Sequence, residues 1–169
     1  MKIESIKLSE YQGKYFSVTK SHGKATMHFG DNYIDNEDYY ADYMLGKCEC
    51  PVSEMFEGIG TDSILICGLG MGLVPLLAET LYGKVDVLDY NKELIDYISD
   101  RNILPSSVNV IFADAYTYTP TQKYDLILVD LWWDSSDIND EQKATIQTNY
   151  GDYLNDNGKI VLPVTFNSL

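Results

Sequence analysis

Three glycines at alternate positions, Gly68, Gly70 and Gly72, close the apolar run in SILICGLGMG. Three aspartates then end later apolar runs: Asp89 after KVDVL, Asp114 after VNVIFA and Asp130 after YDLILV. Glycines so placed make either a tight strand-to-helix turn or a loop whose backbone must lie close to a ligand. The dinucleotide fingerprint needs a third small residue where Leu73 stands, which argues against NAD. Asp89 lies about 20 residues past the loop, the distance at which a carboxylate can accept both ribose hydroxyls. Asp114 is placed to accept from the exocyclic amine of adenine, with Tyr90 and Ala115 against the faces of the base. Each aspartate alone reads as a helix cap or turn residue. All of them together at successive strand ends read as an adenosyl-binding set, because open α/β sheets bind ligands at the carboxyl ends of their strands.

Other chemistries find less support. Cys48, Cys50 and Cys67 are odd in number, and Cys67 falls inside an apolar run, so a secreted disulfide framework is not expected. Cys48 and Cys50 with His22 and His28 do not make a zinc set, and no metal is expected. Two histidines confined to the N-terminal region build no Ser-His-Asp or Cys-His nucleophile. Twelve basic against 26 acidic residues give 12 − 26 = −14, the wrong sign for neutralising phosphates. Nucleic acid is therefore not an expected partner, whereas amines and sulfoniums are attracted. The N-terminus does not read as a signal peptide and no apolar run approaches the ~20 residues of a membrane span. The expectation is a soluble, cytoplasmic protein with no membrane partner.

The elements that must hold these residues change character along the chain. Up to Phe29 the sequence is β-like, with IESIKL as a short strand and KYFSVT and KATMHF as a hairpin turning at Ser21-His22-Gly23. The acidic, tyrosine-rich GDNYIDNEDYYADYM leads into an expected helix and a break at Cys50-Pro51. These residues, 1–50, are read as an N-terminal hairpin and acidic helix region, and 51–169 as the ligand-binding domain. From Ser63 strand and helix alternate: SILICG, a helix over 73–82, KVDVLD, a helix over 92–102, VNVIFAD, YDLILVD, a helix over 139–154, and KIVLPV. Pro75 suits the first turn of its helix, Gly83 its stop and Asn91 the cap of the next. Continuously apolar strands imply a mostly parallel five-strand sheet covered on both faces.

Several segments resemble the spermidine synthases, which share the Rossmann-like methyltransferase fold. LICGLGMG is similar to that family's GGGDG loop, KVDVLDYNKELI to its VELVEIDPEVI segment, IFADAY to its GDA segment and YDLILVD to its fourth strand. Ser9-Glu10-Tyr11-Gln12 resembles SEYQ, and Gly30-Asp31-Asn32 falls where the family has LDG. The resemblance implies Gln12 at the sulfonium, Asp89 at the ribose, Asp114 at the base and Asp130 at the attacking amine. The chain departs from the family where Met71 replaces the aspartate that helps hold the aminopropyl donor. Tyr40-Ala41-Asp42 only echoes the family's Y-H-E, and Asp130-Leu131-Trp132-Trp133-Asp134 stands for D-S-S-D-P. The family's C-terminal third, with its part of the polyamine pocket, has no counterpart.

Trp132 and Trp133 admit two readings, core or interface packing and a cation box, since a tryptophan face attracts a desolvated cation by ~2 kcal/mol. With Tyr40 and Asp134 they are the candidate acceptor residues. Alkyl transfer from a sulfonium needs positioning more than acid catalysis. An ordinary aspartate near 4 facing an ammonium near 10 falls ~6 units, or ~8 kcal/mol, short as a base. Asp130, the candidate catalytic residue, is therefore expected to orient an amine first. The expected protein is a transferase using S-adenosylmethionine or its decarboxylated form as co-substrate, spermidine synthase-like. The alternatives are a methyltransferase, a sulfonium-cleaving enzyme and a non-catalytic binding module. A five-strand sheet leaves an edge for which a homodimer or higher homo-oligomer is the expected cover.

Overall fold

The computed structural model describes residues 8–21, 24–29, 33–36, 63–131 and 138–162. The run after Ser63 has no polar break, and all four residues of its strand, Ile64–Cys67, are buried. A strand buried on both faces must be central. Numbering strands along the chain, β1 is Tyr11–Gln12, β2 Phe16–Ser21, β3 Lys24–Phe29, β4 Tyr33–Asn36, β5 Ile64–Cys67, β6 Val85–Asp89, β7 Val108–Phe112, β8 Tyr124–Val129 and β9 Leu154–Val161. The helices are α1 Leu73–Tyr82, α2 Lys92–Asp100 and α3 Asp140–Tyr150. The order β7-β6-β5-β8-β9 puts β5 at the centre, and every pairing in this sheet is parallel.

The register sets the heights of the strand ends. Cys67 pairs with Leu88 on one side and Val129 on the other, so Gly68, Asp89 and Asp130 leave the sheet at one level. The chain runs from β5 outward to β7 and then crosses back to β8, which opens a switch point between β5 and β8.

Alternation divides the core. Ile64 and Ile66 face α1, α2 and the N-terminal sheet, in a cluster with Leu77, Leu94, Ile98, Phe16, Val18 and Met27. Leu65 and Cys67 face the other way, toward Ile146 and Tyr150 of α3. The N-terminal sheet has the order β1-β2-β3-β4 and is antiparallel throughout, so the expected hairpin gains a strand on each side. It is bound to α2: the Tyr97 hydroxyl donates to the Ser9 carbonyl at 2.7 Å, and the Tyr11 hydroxyl donates to Glu93 at 2.9 Å. The Arg101 guanidinium stacks 4.0 Å from the centre of the Tyr97 ring. The acidic helix expected before Cys50-Pro51 and residues 3–7 of the expected IESIKL strand lie outside the described residues, and Leu8, its last residue, is buried outside any strand.

Helix limits follow local chemistry. The Asn91 side chain accepts from the Leu94 N–H at 3.2 Å and starts α2. Gly83, at φ 88°, stops α1 and donates to the Glu79 carbonyl at 2.7 Å. The third helix is shorter than its expected span of 139–154, because a 3-10 turn at Gly151–Tyr153 hands over directly to β9 at Leu154. That strand starts earlier than KIVLPV because Leu154 already pairs with Tyr124 of β8; Asn157 takes a left-handed φ of 68°, and the β8–β9 register shifts between Tyr124 and Leu126. The 113–123 crossover from β7 to β8 contains no helix.

Gly68 and Gly83 separate two reasons for glycine. Both have positive φ, but a Cβ on Gly68 would overlap the Asp130 carbonyl oxygen, whereas one on Gly83 would meet nothing within 4 Å. Gly83→Ala is expected to cost about 1 to 2 kcal/mol of backbone strain. Gly68→Ala should cost at least about 3 kcal/mol, because two hydrogen-bonded strand ends must also separate. Urea denaturation of the two variants checks this, and equal losses would contradict it.

Candidate functional site

The glycine loop is held from below by a carboxylate. The Asp89 side chain accepts from the Leu69 N–H at 2.9 Å through Oδ2 and from the Asn91 N–H at 2.7 Å through Oδ1. Two segments that must stay close, the loop after β5 and the start of α2, thus share one acceptor. Burial pushes the Asp89 carboxyl above its ordinary range, and the backbone N–H groups of Asn91, Leu69 and Tyr90 oppose that rise without cancelling it. Above the loop Gly68, Gly70 and Gly72 have φ of 111°, 48° and 82°. These left-handed conformations turn the backbone over the end of β5 and into α1. Met71 between them is buried in the main core.

The third strand end is braced from α3. Asp114 accepts from the Tyr116 N–H at 2.9 Å, and the Asn149 side chain donates to the Tyr116 carbonyl at 2.6 Å. The Gln142 amide donates to the Tyr116 hydroxyl at 3.1 Å while its oxygen accepts from the Asn139 N–H in the capping box of α3. Behind them the Tyr150 hydroxyl donates to the Ala115 carbonyl at 2.6 Å. The Cys67 thiol lies 3.7 Å from that hydroxyl, and burial pushes it up to about 12. It is a protonated packing group rather than a nucleophile.

These strand ends surround a cleft of about 700 Å³, within the range of small-molecule sites. Gly68, Gly70, Asp89, Tyr90, Asp114, Ala115 and Asp130 all line it. Seven of the expected residues are therefore brought together. Gly72 caps α1 from behind the cleft. Gln12 is exposed on β1 and does not line the cleft. Tyr40, Trp132, Trp133 and Asp134 lie outside the described residues.

The cleft also has walls that the spacing of motifs did not single out: Phe29 from β3, Asn91 and Leu94 from α2, and Tyr116, Leu131 and Gln142 on the other side. Asn91 and Leu94 were legible as a cap and a core position, but only the packing of α2 against the strand ends makes them cleft walls. No local signal marks Phe29 or Gln142. Among the described residues, no group of three or more His, Cys, Asp or Glu side chains could hold a metal, and no helix is long and apolar enough to cross a membrane.

No protein-family model matches the chain, and no curated protein matches it in sequence. Solved structures do. The glycopeptide N-methyltransferase MtfA superposes with a TM-score of 0.54 at 16% identity, over 73% of this chain and 60% of its own. The N-methyltransferase NodS from Bradyrhizobium japonicum WM9 gives 0.57 at 16% identity, over 75% and 68%. CalS10, an amino pentose methyltransferase from Micromonospora echinaspora solved with S-adenosylmethionine bound, gives 0.55 at 19% identity, over 83% and 61%. The chain thus spans 60% of the length of MtfA. At these identities the likeness establishes the fold, which is the Rossmann-like methyltransferase fold.

The raised Asp89 carboxyl has a consequence for stability. Its folded pKa lies above the ordinary 3.8, so its contribution is fully present below that value and is lost as pH rises through the folded pKa. The stability of the wild type relative to Asp89→Asn should therefore be larger at pH 3.5 than at pH 7. Paired urea denaturations at the two pH values test this, and a difference that grows toward neutral pH would contradict the burial argument.

Proposed function

We propose that the chain is an S-adenosylmethionine-dependent methyltransferase acting on a small amine. The observation that carries this reading is the gathering of the glycine loop, Asp89 and Asp114 around one cleft at the switch point of the sheet. Asp89 would hold the ribose hydroxyls with the lone pairs left after its backbone donors are served, since two carboxylate oxygens have about four acceptor sites.

 The N–H groups of Leu69 and Asn91 use one site on each oxygen, the Tyr90 N–H also draws on the carboxylate, and the remaining lone pairs would serve a ligand. Asp114 would accept from the adenine amine through its second oxygen, because Oδ1 already serves the Tyr116 N–H. Tyr90, exposed at the rim, and Ala115 would flank the base, and Gln12 would approach the ligand only if β1 moves toward the cleft.

When bound, S-adenosylmethionine supplies an electrophilic methyl carbon whose leaving group, a neutral thioether, needs no acid. The work left to the chain is binding and orientation. Asp130 lines the cleft at the end of β8, where its carboxylate would accept from an amine N–H and aim the nitrogen lone pair. The nitrogen–carbon bond forms as the sulfur–carbon bond breaks, and the proton lost from nitrogen passes to solvent. Trp132, Trp133, Asp134 and Tyr40 remain proposed acceptor contacts, and a homodimer remains the proposed cover for the sheet edge.

Methyl transfer is preferred to the aminopropyl transfer of the spermidine synthases for a specific reason. Position 71, where that family carries its donor-holding aspartate, is here a methionine only 1% exposed. It offers the cleft no charge for the terminal amine of decarboxylated S-adenosylmethionine.

Calorimetry with S-adenosylmethionine, its decarboxylated form and NAD tests the reading. Binding of S-adenosylmethionine and none of NAD is expected; the reverse order would end it. Asp130→Asn should weaken donor binding by less than about tenfold while turnover falls roughly 100-fold. A fully active Asp130→Asn protein would remove the catalytic assignment.

A further inference from the structure

Among the described residues of the N-terminal sheet, Phe29 alone lines the cleft. Two sets of polar contacts among the described residues fasten the leading edge of that sheet to α2. Farther along the helix, the Ser9 N–H donates to the Tyr97 hydroxyl at 3.1 Å and the Arg101 guanidinium donates to the Ser9 hydroxyl at 2.9 Å. In the first turn of α2, Glu93 Oε1 accepts from the Tyr11 hydroxyl and from the Lys14 N–H, both at 2.9 Å. Only this second set adjoins the cleft, because Glu93 stands between Asn91 and Leu94, which are both cleft walls.

The Glu93 contact is a close one. Gly13 lies in the turn between β1 and β2, where its N–H donates to the Phe16 carbonyl at 3.0 Å. A Cβ at Gly13 would overlap Glu93 Oε1, so the carboxylate fills the space that any other side chain would need. From Tyr11 a row of rings leads to the cleft. Tyr11 stacks on Phe16 at 5.0 Å, and the Phe16 ring centre lies 6.0 Å from that of Phe29, its partner in the β2–β3 register. Glu93 does not itself line the cleft, yet it fixes the first ring of a row whose last ring is a cleft wall.

We infer that Glu93 is a positioning residue for the cleft: it clamps the β1–β2 turn to the first turn of α2 and so holds Phe29 in the cleft wall, and ligand affinity depends on its acceptor oxygen rather than on its charge. The choice of S-adenosylmethionine as the ligand rests on the proposed function, whereas the seating of the sheet does not. The physical basis is one carboxylate oxygen that serves both donors. Glutamine keeps an acceptor of the same reach. Alanine takes that partner from the Tyr11 hydroxyl and the Lys14 N–H, and the end of the sheet beside the cleft loses its polar attachment to α2.

The experiment pairs hydrogen exchange of the ligand-free full chain with calorimetry of S-adenosylmethionine, on the wild type and on Glu93→Ala, Glu93→Gln and Tyr97→Phe. In Glu93→Ala the amides of β2 and β3 should exchange about fivefold faster while those of β5 keep their wild-type rates, and the dissociation constant should rise roughly tenfold. Glu93→Gln should stay within about twofold of the wild type in both measurements. Tyr97→Phe removes the farther attachment but keeps its ring, and it should weaken binding less than Glu93→Ala does. Should Glu93→Ala fail to fold, Tyr11→Phe replaces it, because it keeps the row of rings and removes one of the two donors; a loss in the same direction is expected. Unchanged affinity in the variant that folds overturns the inference. Glu93→Gln as weak as Glu93→Ala also overturns it, since charge is then what acts, and so does an equal loss in Tyr97→Phe, since general loosening is then the cause. A wild type that binds no S-adenosylmethionine overturns the proposed function. Exchange then decides the inference alone: faster exchange in β3 supports it and unchanged exchange overturns it.

Discussion

One carboxylate connects the parts of the site. Asp89 accepts from the Leu69 N–H and the Asn91 N–H, and so ties the turn after the central strand to the first residues of α2. Without that acceptor, two backbone donors at a half-buried position would lose their partner, a cost of about 1 to 3 kcal/mol for each donor left unsatisfied. The carboxyl is itself held in an environment that disfavours its charge. Burial is tolerated because the backbone donors compensate part of it, which makes Asp89 both a support of the loop and a candidate ligand contact.

The parallel register carries this arrangement across the sheet. Gly68 donates to the Leu88 carbonyl at 2.8 Å and Asp130 donates to the Cys67 carbonyl at 2.7 Å, so the ladder continues one residue beyond each strand. That close approach leaves no room for a side chain at Gly68. On the opposite face, α3 takes up the space beside the helix-free crossover. Tyr150, Asn149 and Gln142 all bind the Ala115–Tyr116 turn, so the loop beside the candidate base contact is fixed by side chains instead of by a helix of its own.

The N-terminal sheet belongs to the same packing. Leu8, Phe16, Val18, Ala25 and Met27 share a core with α1, α2 and the inner strands, and Phe29 reaches the cleft from it. The boundary drawn at residue 50 on composition therefore separates two sheets that bury apolar surface against each other, and the site draws on both.

The sequence by itself determined what depends on neighbours along the chain. The alternating apolar runs specified the parallel strands, Asn91 and Gly83 the limits of helices, and the ends of the runs the level at which Asp89, Asp114 and Asp130 emerge. Spacing of this kind records backbone periodicity and capping, which are local. Tertiary structure decided what depends on residues meeting across the fold. Gly68 must be glycine because Asp130 lies against it, Met71 points into the core and not into the cleft, and Gln12 stays on an exposed strand. Phe29, Tyr116 and Gln142 become walls of one cleft only when three separate elements converge at the switch point. No interval between residues records such a convergence, because it is set by which faces must be buried and by the register in which the strands pair.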